Sequence, residues 1–111
     1  MPPGGTGGSL ARQEKFMIPP DPLTVRHNPE AARFQLEKDG LLSVLEYRLE
    51  PGRIVFTHTG VPPVLEGQGL ASRLARAGLD YARAEGLRVV SACSYIDHYL
   101  ERHPEYQDLV K

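Results

Sequence analysis

Gly67-Gln68-Gly69-Leu70-Ala71-Ser72 is the stretch whose reading decides the fold. It follows a strand-like run, residues 53–61, and opens the strongest helix pattern in the chain, residues 70–85. Two glycines at the mouth of a helix leave backbone N–H groups bare and let a ligand come close. Aligned peptide dipoles add partial positive charge at that end, so the favoured guest is an anion, most often a phosphate. The same six residues also read as a tight strand-to-helix turn that holds nothing. Neighbouring sequence has to separate the two readings.

Downstream, Leu70, Leu74, Ala77 with Gly78, and Tyr81 recur at spacings of three and four. That is the stripe of a helix packed on a sheet. Arg73, Arg76, Asp80 and Arg83 fall on the opposite side, and Gly86 supplies a left-handed stop. Residues 87–92 form a compact, β-branched strand with Cys93 at its end. Ser94 followed by Asp97 spells a capping box, so a short helix is expected from there to about residue 102. His103-Pro104 closes it, and residues 106–110 read as a tail able to add an edge strand.

Upstream, Pro62-Pro63 ends the preceding strand, because proline cannot donate to a ladder. Alternation along residues 53–61 puts Ile54, Phe56 and His58 on one face. Pro51-Gly52 and Asp39-Gly40 are turn signals, the second a strong two-residue hairpin. Between them, Leu41, Ser43, Leu45 and Tyr47 face away from Leu42, Val44 and Glu46. Residues 33–38 alternate with Phe34 and Leu36 on one side, and residues 23–28 form a short strand stopped by Asn28-Pro29. The expectation is an α+β fold: an antiparallel meander, a strand–helix–strand crossover with its two strands parallel and adjacent, then a short C-terminal helix.

Composition bounds the rest. The chain has 111 residues, 41% hydrophobic and 24% charged, which suits one domain. Residues 1–22 are Pro/Gly-rich and carry too little apolar surface to offset the entropy of ordering. They are expected to be a disordered leader, with Phe16-Met17-Ile18 as the piece able to dock, leaving the domain over 23–111. A net charge of -1 gives no reason to expect a nucleic-acid partner. No apolar run reaches the roughly 20 residues of a membrane span, and the chain does not start with a basic segment followed by an apolar one. A cytoplasmic protein, monomer or weak dimer, is the expectation. Cys93 is the single cysteine, so neither an internal disulfide nor a CxxC metal site is expected.

Taken together, the residues resemble the GCN5-related N-acetyltransferases, and within them the small single-domain group. The pattern shared with that group is a strand ending His58-Thr59-Gly60-Val61-Pro62, the loop Gly67 to Gly69, its helix, Cys93 after the next strand, and His103-Pro104-Glu105-Tyr106. The likeness covers residues 23–110. One departure is clear: where the superfamily's loop signature opens with Arg or Gln, this chain has Glu66. The resemblance implies acetyl-CoA as co-substrate. Its diphosphate would lie on the loop from Gly67 to Ser72, held mostly by backbone N–H groups from Gln68 to Ser72 and within reach of Arg73 and Arg76. Its pantetheine arm would lie between the two parallel strands, and Val61 is a further cofactor-binding candidate.

Acetyl transfer to an amine needs a neutral amine, a stabilised oxyanion and a proton for the departing thiolate. Many relatives carry a glutamate near the end of the strand before the loop. Here that neighbourhood is Thr57-His58-Thr59-Gly60, so His58 is the titratable candidate, with a packed histidine as the plain alternative. Cys93 reads either as a nucleophile activated by His58 or as a small side chain lining the acyl pocket. Tyr99 is the positional match for a phenol that protonates the thiolate, or else a core tyrosine. Arg76 reads as a solvated residue paired with Asp80. His98 and His103 have no third ligand in view, and no metal is expected. A dinucleotide fingerprint fails on context, since Ser72 stands where a third glycine is needed. The sequence thus supports an N-acetyltransferase acting on an unidentified amine. Two rivals remain, a non-catalytic acyl-CoA-binding or interaction module and an ATP- or NAD-binding protein.

Overall fold

The computed structural model describes residues 24–110; the expected leader over 1–22 lies outside the described residues. The meander begins with β1 (Arg26–Asn28), shorter than the run expected over 23–28, and a single 3-10 turn, Pro29–Ala31. β2 (Arg33–Lys38) and β3 (Leu41–Glu50) follow, joined by Asp39 and Gly40 at φ 54° and 76°. Both central residues sit in the left-handed region, as a type I′ hairpin demands. β4 (Arg53–Gly60) completes the antiparallel part. α1 (Leu70–Glu85) crosses over to β5 (Arg88–Ser91), which pairs parallel to β4. The sheet order is β1-β2-β3-β4-β5.

Period-two alternation sends Phe34 and Leu36, Leu45 and Tyr47, Ile54 and Phe56, and Val89 to one face, where all are buried. α1 lays Leu70, Leu74, Gly78 and Leu79 onto them. The buried stripe of α1 is wider than its sequence period suggests, adding Ala75 and Ala82. The reason is a second neighbour: α1 also packs against α2 (Ser94–Arg102) and the C-terminal turn. Gly78 marks the closest approach to the sheet. A Cβ there would meet Leu45 Cδ2 at 2.8 Å and Phe56 Cε1 at 2.9 Å.

Three local expectations are corrected. Ser94 is not a cap: Cys93 holds the cap position of α2 with no side-chain bond, and Asp97 N–H donates to the Cys93 carbonyl at 3.1 Å. Residues 106–110 do not form an edge strand. Pro104–Leu109 is a 3-10 helix that buries Tyr106 and Leu109 in the common core. Finally, Arg76 does not own Asp80, whose Oδ1 accepts from the Tyr106 hydroxyl at 2.6 Å. Burial first, then that hydrogen bond and the carboxylate's charge, push the Tyr106 phenol up to about 12.

At the far edge, His27 ties β1 to the core. Its ring stacks on Phe34 at 4.3 Å, meets Tyr81 edge-on at 4.5 Å and hydrogen-bonds the Tyr47 hydroxyl at 2.7 Å. Burial lowers its pKa, opposed by the Glu85 carboxylate.

Candidate active site

The site is made by two strands parting. β4 and β5 stay in register from Arg53 and Arg88 to Phe56 and Ser91, and the last bond runs from Ala92 N–H to the Phe56 carbonyl at 2.9 Å. Beyond it the chain turns at Cys93 into α2, while β4 runs on to Gly60. The gap opens at the level of α1's first turn.

β4 also changes phase there. Tyr47 pairs with Phe56 but Glu46 pairs with His58, leaving Thr57 as an extra residue whose hydroxyl donates to the Glu46 carbonyl at 3.3 Å. Such a bulge swaps the faces of everything after it. Thr59 therefore joins Leu45 on the helix face, and His58 does not share a face with Ile54 and Phe56. His58 is exposed on the other side, its ring over Gly60 and beside Val44, opposite Glu46. Thr59, present in the shared strand motif but assigned no role from sequence, takes the place expected of His58. Its Oγ1 lies 3.3 Å from Cys93 Sγ, within hydrogen-bonding range. The thiol thus meets a hydroxyl and no imidazole.

A cavity of about 360 Å³ stands over this point. Thr59 and Val61 line it on the strand side, and Leu65, Glu66, Gly67, Gly69, Leu70, Ala71 and Ser72 on the loop side. Gly67 and Gly69 have φ of 84° and 78°, in the left-handed region that glycine adopts without a side-chain clash. Gly69 caps α1 with no side-chain hydrogen bond, and the first intrahelical bond is Arg73 N–H to the Gly69 carbonyl at 3.2 Å. The N–H groups of Leu70, Ala71 and Ser72 find no acceptor among the described residues. Bare amides at a helix start, facing a cavity, fit a phosphate ester. Gln68 and Arg73 are both exposed, and neither lines the cavity.

The tyrosines divide differently from the expectation. Tyr95, which the sequence left unmarked, lines the cavity beside Ser72. Tyr99 is 6% exposed, stacked on the His103 ring at 3.9 Å, and lines the adjoining cleft of Ser72, His98 and Arg102. Burial raises both phenols, while the Ser72 hydroxyl acts in the opposite sense on each. His103 Nδ1 is engaged by the Tyr99 carbonyl at 3.0 Å. No group of three or more His, Cys, Asp or Glu side chains suited to a metal occurs among the described residues.

A family model described as GCN5-related N-acetyl-transferase matches residues 33–109. Protein NATD1 of Mus musculus is 35% identical over 86 residues, covering 75% of this chain and 78% of that protein. Protein NATD1 of Homo sapiens gives the same identity over 75% of this chain and 76% of its own. A GCN5-like protein from Staphylococcus aureus, solved in solution by NMR, superposes with a TM-score of 0.65 at 31% identity, over 79% of this chain and 87% of that one. The matched stretch takes in the parted strands, the bulge, the glycine loop and both helices, and on that ground the chain belongs to the GCN5-related N-acetyltransferase family.

Proposed function

We propose that the protein is an N-acetyltransferase that takes an acetyl group from acetyl-CoA and passes it to an amine. One observation carries this reading: the uncapped N–H groups of residues 70–72 front a cavity whose other wall is the parted end of β4. The thioester supplies an activated acyl group, with a C–N bond forming as the C–S bond breaks.

The chain's own residues have definable tasks. Backbone N–H groups of Leu70, Ala71 and Ser72 hold the diphosphate. Thr59 and Val61 border the acyl end. Tyr95, a phenol that is protonated at neutral pH and that burial pushes further up, is at hand for a departing thiolate. Tyr99 is the alternative, one helical turn further and more deeply packed. Cys93 is assigned to the pocket wall: its partner hydroxyl, Thr59, cannot accept a thiol proton at neutral pH. For an amine arriving from the face opposite the helices, His58 is the imidazole within reach, with Glu46 across the strand.

Two measurements test the reading together. Calorimetric titration with CoA reads binding, and free thiol released from acetyl-CoA beside a panel of primary amines reads turnover. Binding with release on at least one amine is expected. Binding without release on any amine would favour a non-catalytic acyl-CoA module. Uptake of ATP or NAD in place of CoA would sink both. An acetyl mass on Cys93 together with an inactive Cys93→Ser would reverse its assignment to the wall.

A further inference from the structure

The loop that faces the cavity has an electrostatic problem of its own. Glu66 lines the cavity and is exposed, so a carboxylate stands beside the place where an anion is to bind. Gln68 between the glycines is neutral, and Arg73 sits a turn away on the exposed side of α1. Nothing within the loop offsets Glu66.

A cation reaches the loop from elsewhere in the chain. Lys38 is the last residue of β2, and its alternation with Phe34 and Leu36 turns it to the helix face. Its Nζ donates to Gln68 Oε1 at 2.6 Å, across 30 positions of sequence. Asp39 Oδ2 stands 4.0 Å from the same nitrogen, with its side chain 72% exposed. At that distance and exposure the pair is worth little. An ammonium carries three protons, and the Gln68 bond uses one. The Lys38 side chain is 31% exposed, so the charge is held at the loop rather than free in solvent.

We propose that Lys38 supplies, from the β2–β3 hairpin, the positive charge that the glycine loop lacks, and that it contacts a phosphate of coenzyme A. The inference rests on the reading that this loop binds CoA. Gln68 is the positioning residue: its side-chain oxygen accepts from the ammonium and so keeps the charge beside the loop. The phosphate in contact is either the diphosphate on the loop or the ribose phosphate beyond it, both of the same chemistry.

The test is calorimetric titration of the wild type, Lys38→Gln and Lys38→Met with CoA and with dephospho-CoA, at low and high salt, each variant checked for an unchanged melting curve. Lys38→Gln keeps a hydrogen-bonding partner for Gln68 and removes the charge. It is expected to bind CoA about fivefold to tenfold more weakly at low salt, the size of one partly solvated charge contact. That difference should shrink at high salt. If the ribose phosphate is the contact, dephospho-CoA binds wild type and variant alike; if the diphosphate is, the loss persists. Adding Glu66→Gln to Lys38→Gln should recover part of the affinity. Lys38→Gln binding like wild type while Lys38→Met is weakened would make Lys38 a brace for the loop and overturn the proposal. A wild type that takes up neither ligand overturns the CoA reading itself; a wild type that binds, with both variants equal to it, overturns the role of Lys38 alone.

Discussion

The two ends of α1 are built on opposite plans. At the C-terminal end backbone and side chains close the helix off. The Gly86 N–H reaches the Ala82 and Arg83 carbonyls, and Leu87 N–H reaches Ala82 at 2.9 Å. Arg83 grips Asp108 through two nitrogens at 2.9 and 3.0 Å, donates to the Glu105 carbonyl at 2.7 Å and lies over the Tyr106 ring. Tyr106 closes onto Asp80. At the N-terminal end no side chain caps the helix, and three N–H groups look into a cavity. A helix normally satisfies its ends with its own residues. Where one end is finished and the other left bare, the finished end is holding the fold together and the bare end is available to a ligand.

The largest effect expected from breaking this contrast is at Ala71. A glutamate there puts a carboxylate in the first turn of α1, which favours the helix by about 0.3–1 kcal/mol. It also fills the proposed anion site with the protein's own charge. Losing two or more charge-assisted bonds of about 1.5–3 kcal/mol each should weaken CoA by at least about a hundredfold, while the melting temperature holds or rises. A variant that melts lower and still binds CoA would erase the distinction between the two ends.

Tyr106→Phe should do the reverse. It removes a hydroxyl bonded to a carboxylate, at a cost of about 1–2 kcal/mol. For a domain of this size that lowers the melting temperature by about 4–8 °C per kcal/mol, with CoA affinity unchanged. Between the two ends, Gly78→Ala forces a methyl group into Leu45 and Phe56. Overpacking costs about 1–3 kcal/mol and the gain in helix propensity returns about 1. The net, about 1 kcal/mol or somewhat more, is checked by denaturant unfolding.

The smallest effect is pH-linked and again belongs to the finished side, where Glu85 in the last turn of α1 acts on His27. His27 has a folded pKa below 6.5 because burial disfavours its charged form. The unfolded chain therefore binds more protons in that window, and stability rises with pH there. The contribution is fully present above 6.5 and is lost as pH falls through the lower, folded value. Unfolding midpoints from pH 7.5 to 5 should decline in wild type, and the slope should flatten in His27→Phe.

Much of this was legible in residues. Asp39-Gly40 specified the hairpin because few residue pairs tolerate two left-handed conformations in succession. The period of Leu70, Leu74 and Gly78 located α1, and Gly86 ended it. The glycine loop was readable for the same reason: two positive-φ positions before a helix have few other uses. The 3-10 clasp was not readable as structure, because Tyr106 and Leu109 find their burial against elements far away in sequence.

The sequence by itself determined where the four longer strands and the two α-helices lie, which loop precedes α1 with two glycines, and which residues are able to do chemistry at all. Only the tertiary structure decided which of them meet. Thr57 and Thr59 are both β-branched and both suit a strand, so nothing local announces which residue is the extra one. The bulge exists because Glu46 and Tyr47 on β3 pair with positions two apart on β4. That one-residue shift sends His58 to the far face and brings Thr59 to Cys93. Side chains alternate with period two, so a single added residue exchanges the two faces of the strand, and its neighbour's register is what fixes where that exchange falls.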